Sequence, residues 1–250
     1  MNCAWLGPAA LFFSVACSID DRNVSVAPAT DASVPTRCSG IPVGRELISD
    51  FTDAVEVVDV DGNHGIVYSN GPVGLGGVTQ FFSAPGVAPP TLSLVPTDTG
   101  PALEVRATPA RPISAEPASR YFGFGLGFGI VAPVCVDASA YRGVSFSLEG
   151  QIGSCELMFQ TQISQDDRLL EGSDVSSCTL AELCYPPYSA PLEVGRKRTF
   201  QFPFDALNGG NPVELVDPTT LINVAWKMFA PVSGPACEVR IVIDDVAFYR

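Results

Sequence analysis

A chain of 250 residues is long enough for one large domain with a substantial core. Its formal net charge of −13 argues against nucleic acid as a partner, because phosphate binding needs clustered Lys and Arg. Only 16% of the residues are charged, while Gly and Pro number 23 and 22. That balance favours strands and turns, and no window sustains a helical 3.6-residue period.

Leu6 to Val15 is a short apolar run followed by Ala16-Cys17-Ser18. It falls short of the roughly 20 residues that span a bilayer and has the length of a signal-peptide apolar region. Small residues before a cysteine resemble a bacterial lipoprotein signal, which makes residues 1–17 the expected leader and Cys17 the lipidated residue. Plain secretion is the alternative, since Ser14 stands where such signals carry Leu and no Lys or Arg precedes the run. Residues 18–45 are rich in Ala, Ser, Thr, Pro and Asp, with few large apolar groups, and read as a flexible tether. The expected location is therefore the outer membrane or cell surface of a bacterium, or the medium outside it.

The domain runs over residues 46–250 and opens with Glu46 to Phe51. Val55–Val60 and Gly65–Tyr68 flank Asp61-Gly62-Asn63, a hairpin pattern, because Asp-Gly supplies the positive φ of a tight turn. Residues 83–101 read as a Pro- and Gly-rich loop around the short run Thr91–Val95, and Ala102–Ala107 as a strand. In Arg120–Ile130, Phe122, Phe124, Leu126 and Phe128 share one face and Gly123, Gly125, Gly127 and Gly129 the other. A strand face without side chains is covered by large neighbouring side chains, the expectation here, or offers a flat floor to a ligand.

Later segments alternate cleanly. Val144, Phe146 and Leu148 point inward, as do Leu157, Phe159, Thr161 and Ile163. So do Phe200, Phe202 and Phe204, and then Ile222, Val224, Trp226 and Met228. The last segment, Cys237 to Tyr249, alternates as far as Ile243 and then carries Asp244-Asp245. Its apolar face must pair with something formed much earlier in the chain. Many strands between Gly/Pro turns give an all-β sandwich or jelly roll of two antiparallel sheets.

Four stretches carry a resemblance. Leu47-Ile-Ser-Asp-Phe-Thr-Asp53, Gly123–Phe128, Val136–Phe146 and Ile243-Asp-Asp-Val-Ala-Phe248 resemble carbohydrate-binding modules of the galactose-binding-like jelly-roll fold, family 11 and its relatives. The resemblance implies a structural Ca²⁺ joining first and last strands, on Asp50, Asp53 and Asp245, with Thr52 standing where the family has Glu. It also implies sugar binding through exposed aromatics and amides or carboxylates. The positions expected to do this are Tyr121 on the glycine face, outward Glu149, Gln160, Gln162 and Gln201, and Tyr185 and Tyr188 near Cys184.

Removing Cys3 with the leader and Cys17 for lipid leaves six cysteines, an even number that favours disulfides in an exported chain. Cys178 and Cys184 bracket a short loop that a disulfide would close, and Cys155 and Cys237 each head a strand, so that pair is expected to bridge adjacent strands. That leaves Cys38 with Cys135, which would pin the tether to the domain. A single histidine, His64, and the lack of HExxH, GxSxG or a phosphate-binding glycine loop argue against an enzyme. The expected function is non-catalytic binding of a polysaccharide or cell-surface glycan by a monomer that meets the membrane only through its lipid. The alternative is a structural or adhesive surface lipoprotein with a protein partner and no sugar binding.

Overall fold

The computed structural model describes residues 40–58, 64–74, 76–84, 86–109, 120–129, 134–163, 185–211, 213–233 and 236–250. The expected leader with Cys17, tether residues 18–39, the turn at 61–63 and the Cys178–Cys184 loop lie outside them.

Fourteen strands occur among the described residues. They are β1 (Ile41–Pro42), β2 (Leu47–Ser49), β3 (Ala54–Val58), β4 (His64–Tyr68), β5 (Gly77–Ser83), β6 (Thr91–Thr97) and β7 (Gly100–Ala107). Then come β8 (Tyr121–Phe128), β9 (Val136–Asp137), β10 (Gly143–Gln151), β11 (Glu156–Ile163), β12 (Arg198–Pro203), β13 (Leu221–Phe229) and β14 (Val239–Tyr249). The larger sheet has the order β1-β9-β13-β8-β5-β4-β3, with β11 also on β13; the smaller runs β12-β10-β14-β7-β6, with β2 also on β14. Pairing is antiparallel except between β1 and β9, and the fold is the expected all-β sandwich.

The alternation sets what lies between the sheets. Phe122, Phe124, Leu126 and Phe128 of β8, Phe159 of β11 and Trp226 of β13 are fully buried against Phe146 of β10 and Ile241 and Ile243 of β14. Phe146 is the hub, with ring centroids 5.0 Å from Phe159 and 5.1 Å from Trp226. Each such ring contributes roughly 2–3 kcal/mol by leaving water.

The closing strand β14 is central to its sheet, between β10 on one side and β7 and β2 on the other. Its period of two breaks once. Asp245 adopts φ 53°, the register against β10 shifts there, and Val246 and Phe248 turn inward after Ile241 and Ile243.

Three readings of the sequence change. β5 falls where no strand was expected, because Phe81 and Phe82 stand side by side, one packed on the core and one on the outer face, and hide the alternation. The fold begins earlier than residue 46. Ile41 N–H donates to the Cys135 carbonyl (2.8 Å) and Val43 N–H to that of Asp137 (3.0 Å), so the end of the tether is built into the larger sheet. Finally, Cys155 and Cys237 form the expected disulfide, with Cα atoms 5.5 Å apart, but it links the two sheets rather than neighbouring strands. In the chain-entropy model, closing a loop over a separation of 82 residues is worth roughly 4–5 kcal/mol. Cys135 is also disulfide-bonded.

Candidate functional site

Strand register lays out the outer face of the larger sheet as four rows. Gln162, Asn223, Gly127, Val78, Val67 and Val55 form the first. Gln160, Ala225 and Gly125 lie in the second; Met158, Lys227, Gly123 and Phe82 in the third; Glu156, Phe229 and Tyr121 in the fourth. The middle of this face is therefore made of Ala225, Gly125 and Gly127, with larger groups on either side. Neighbouring strands lie about 4.8 Å apart, so β11 to β5 spans roughly 14 Å.

The glycines of this face differ between its two ends. A Cβ on Gly123 would come within 2.6 Å of the Phe82 ring, so that glycine is covered by a neighbouring side chain. A Cβ on Gly125 would meet the Ala225 Cβ at 3.1 Å and Asn223 beyond it, so there small residues pack side by side next to an amide, and all three are buried.

Amides line the β11 side. Asn223 Nδ2 donates to Gln162 Oε1 at 2.6 Å, fixing that pair. Gln160 is 5% exposed, and its Oε1 is buried without a hydrogen-bond partner. A buried acceptor without a donor is uncommon and marks where water or a ligand hydroxyl is wanted. The chain then adds to this edge: Ser189 N–H donates to the Phe159 carbonyl and Leu192 N–H to that of Leu157. Tyr188 bridges Gln160, which sets it on the same face, and its ring rests within 3.5 Å of the Cβ position of Gly209, a residue at φ 75°. Tyr185 bridges Asn211 one step farther out, and both tyrosines are more than a third exposed.

The opposite end is aromatic and cationic. Lys227 Nζ lies 4.8 Å from the Tyr121 ring centroid and 5.2 Å from that of Phe229, and the Arg120 guanidinium lies 5.4 Å from the same Phe229 ring. Burial pulls the Lys227 ammonium down to about 8. Arg120 donates to the Ala230 carbonyl at 2.8 Å, while its Nε is buried without a partner.

The fold thus brings together Tyr121, Gln160, Gln162 and Tyr188, with Tyr185 beside them. Glu149 and Gln201 belong to β10 and β12 of the smaller sheet and project from the other side of the sandwich. Their outward parity was right, but parity along a strand does not say which sheet the strand joins. Phe82, Phe229 and Ala225 were missed as site residues. Ala225 was legible as the small outward residue between Asn223 and Lys227, and Phe82 was hidden with its strand.

Asp50 and Asp53 are each engaged by hydrogen bonds, and the charge of Asp50 is felt at Asp245. Asp50 Oδ1 accepts from the Thr52 N–H (3.1 Å) and hydroxyl (2.7 Å); although partial burial works against it, these bonds hold its carboxyl below the usual range. Asp53 Oδ2 accepts from the N–H groups of Ser69 (3.1 Å) and Asn70 (2.6 Å) and so ties the start of β3 to the end of β4. Asp245 is exposed, and its carboxyl is raised by partial burial and by the charge of Asp244. Among the described residues no group of three His, Cys, Asp or Glu side chains is placed to share a cation. The Thr52 that departs from the family pattern here spends its hydroxyl on Asp50.

No protein-family model and no curated protein matches the chain. Among solved structures, it is similar to the family 11 carbohydrate-binding module of the cellulosomal cellulase Lic26A-Cel5E of Clostridium thermocellum, at 12% identity and a TM-score of 0.48, over 83% of this chain and 95% of that one. It is also similar to a Clostridium thermocellum family 11 module in complex with a β-1,3-1,4-mixed-linked tetrasaccharide, at 14% identity and a TM-score of 0.46, over 83% and 96%. A third likeness is to the family 30 module of the cellulosomal cellulase Cel9D-Cel44B of Clostridium thermocellum, at 13% identity and a TM-score of 0.42, over 80% and 95%.

Proposed function

We propose that the domain is a non-catalytic, monomeric polysaccharide-binding module that holds its glycan on the outer face of the larger sheet. The observation that carries this reading is the pairing at the β11 edge of the exposed rings of Tyr188 and Tyr185 with the amide of Gln160, whose Oε1 has no hydrogen-bond partner. Sugars present apolar ring faces and a rim of hydroxyls. Aromatic rings cover the first, and amides, which donate and accept at once, meet the second. The motif resemblance at Gly123–Phe128 and Ile243–Phe248 points the same way.

Export fits the Cys155–Cys237 disulfide, since such bonds persist in oxidising compartments. No helix among the described residues is long and apolar enough to cross a membrane. Anchoring through lipid on Cys17 completes the proposal and rests on the sequence alone; a Cys17→Ser chain released from membranes into the medium supports it, and one that stays membrane-bound contradicts it.

The test is retention on soluble and insoluble polysaccharides, comparing the wild type with Tyr188→Ala and Gln160→Ala. Retention that weakens about tenfold in each variant is expected. No retention on any glycan sinks the reading and leaves the protein-partner alternative.

A further inference from the structure

Two matched stretches meet beyond β11. Tyr185-Pro-Pro-Tyr188 runs antiparallel to Asn208-Gly-Gly-Asn211. Tyr185 exchanges backbone hydrogen bonds with Asn211 at 2.9 and 2.8 Å, and Tyr188 with Asn208 at 3.0 and 3.3 Å. The two prolines, which have no N–H to offer, therefore lie opposite the two glycines. The room is needed there: a Cβ on Gly210 would come within 2.7 Å of the Pro187 ring, and one on Gly209 within 3.3 Å of the Tyr188 hydroxyl. Exposure along the tyrosine segment follows a period of three rather than two. Tyr185 and Tyr188 are 38% and 37% exposed, while Pro186 and Pro187 between them are buried. That is the pattern of a polyproline-type extended helix, whose three residues per turn return the side chains of residues 185 and 188 to one side. At its rise of about 3.1 Å per residue the two tyrosines stand roughly 9 Å apart. Residues directly opposite in an antiparallel pair share a face, so each tyrosine has an asparagine beside it.

From this ribbon we infer that the site holds two like subsites, each a tyrosine ring with an asparagine amide, which grip every second unit of one extended glycan chain. The inference rests on the reading of the domain as a glycan-binding module. In a linear β-1,4-linked chain successive units are turned over, so units that present the same face are two apart, close to the spacing of the two rings. Each ring covers the apolar face of a unit, and the adjacent amide meets its hydroxyls. Tyr68, by contrast, is fully buried, and Tyr121 and Tyr141 each carry a cation on their rings. Four backbone hydrogen bonds and two prolines fix the subsites relative to one another, so little ordering remains to be done when the chain binds. A chain held at one ring then meets the other at high effective concentration. The consequence is a length threshold: two units reach one ring only, and three reach both.

Isothermal titration calorimetry with β-1,4-linked gluco- and manno-oligosaccharides of two, three and four units tests this, with maltose and maltotriose as the α-linked control. In the better-bound β-linked series, three units should bind about tenfold more tightly than two, and a fourth should add no more than about twofold. Tyr185→Ala and Tyr188→Ala should each remove the step, bringing three units within about twofold of two. The two-unit ligand itself should lose only about half its affinity in either variant, because the remaining ring still takes it. Tyr185→Phe, which keeps the ring face, should retain the step. Thermal melts establish that each variant is folded. An even rise from two to four units, a step that survives loss of either ring, or an equal step between maltose and maltotriose overturns the inference and leaves the sugar-binding reading standing. So does retention on polysaccharides without binding of any of these oligosaccharides. Failure to bind any of them, together with no retention on any polysaccharide, removes both.

Discussion

The two outer faces of this sandwich treat their polar groups in opposite ways. On the smaller sheet, Glu104 of β7 accepts from Arg106 Nε at 2.6 Å and Arg240 Nε at 2.8 Å, bonds that hold its carboxyl below the usual range. Asp244 of β14 accepts from its neighbour's N–H at 2.9 Å and meets Lys197 at 3.6 Å. On the larger sheet, the Gln160 acceptor has no partner, the Arg120 Nε has none, and Lys227 lies on rings instead of beside a carboxylate. A face whose charges satisfy one another has nothing left to offer a ligand. A face with polar atoms in want of partners beside exposed tyrosine rings keeps hydrogen-bonding capacity that the other has spent.

The largest effect expected from breaking this contrast is at Lys227. Its folded-state pKa of about 8 lies below the ordinary value of 10.5, so the unfolded chain binds more protons between those values. Stability should therefore rise as pH goes from 8 to 10.5, with the full cost of the buried charge present below 8. Lys227→Met should stabilise the domain by on the order of 2–3 kcal/mol at pH 7, an advantage that shrinks across that window. Denaturant unfolding of both proteins at pH 7 and 10.5 checks it, and a pH-independent difference would show that the ammonium is not desolvated.

Next in size, Tyr188→Ala and Gln160→Ala should each weaken glycan binding about tenfold, while Glu149→Ala and Gln201→Ala on the other face leave it within about twofold. Equal losses on both sides would erase the distinction between the faces. A smaller effect is expected of Glu104→Ala, which should cost about 1 kcal/mol, since Arg106 and Arg240 are more than half exposed and can return to water. It should leave glycan affinity unchanged. Smallest is Asp245→Ala. With no three acidic side chains placed to share a cation among the described residues, its melting temperature should follow that of the wild type within about 2 °C in Ca²⁺ and in chelator alike. A drop seen only in Ca²⁺ would restore the shared calcium site implied by the family resemblance.

How much of this was legible in the sequence depended on periodicity. The inward face was correct from Val144–Leu148 to Val224–Met228, and Trp226 is core as its neighbours implied, while at the irregular start of β13 Leu221 takes the core place expected of Ile222. Alternation also placed Tyr121, Gln160 and Gln162 outward. What alternation cannot carry is the partner of each strand, so Glu149 and Gln201 looked equivalent to them until the sheets were assembled. The Phe81-Phe82 pair concealed β5, and with it the ring that closes Gly123. The Asp-Asp pair near the end of the chain read as a strand's tail. It is instead a bulge, after which β14 resumes its place against β10 and β2.

The most direct test is an NMR titration of the ¹⁵N-labelled domain with a retained oligosaccharide, following backbone amides and the side-chain amides of Gln160, Gln162, Asn223 and Gln201. Shifts confined to Tyr121–Gly127, Gln160, Gln162, Tyr188 and Asn223–Lys227, with Gln201 and Glu149 unmoved, are the expected result. Shifts centred on β10 and β12, or none at saturating sugar, would contradict the assignment of the glycan to the larger sheet.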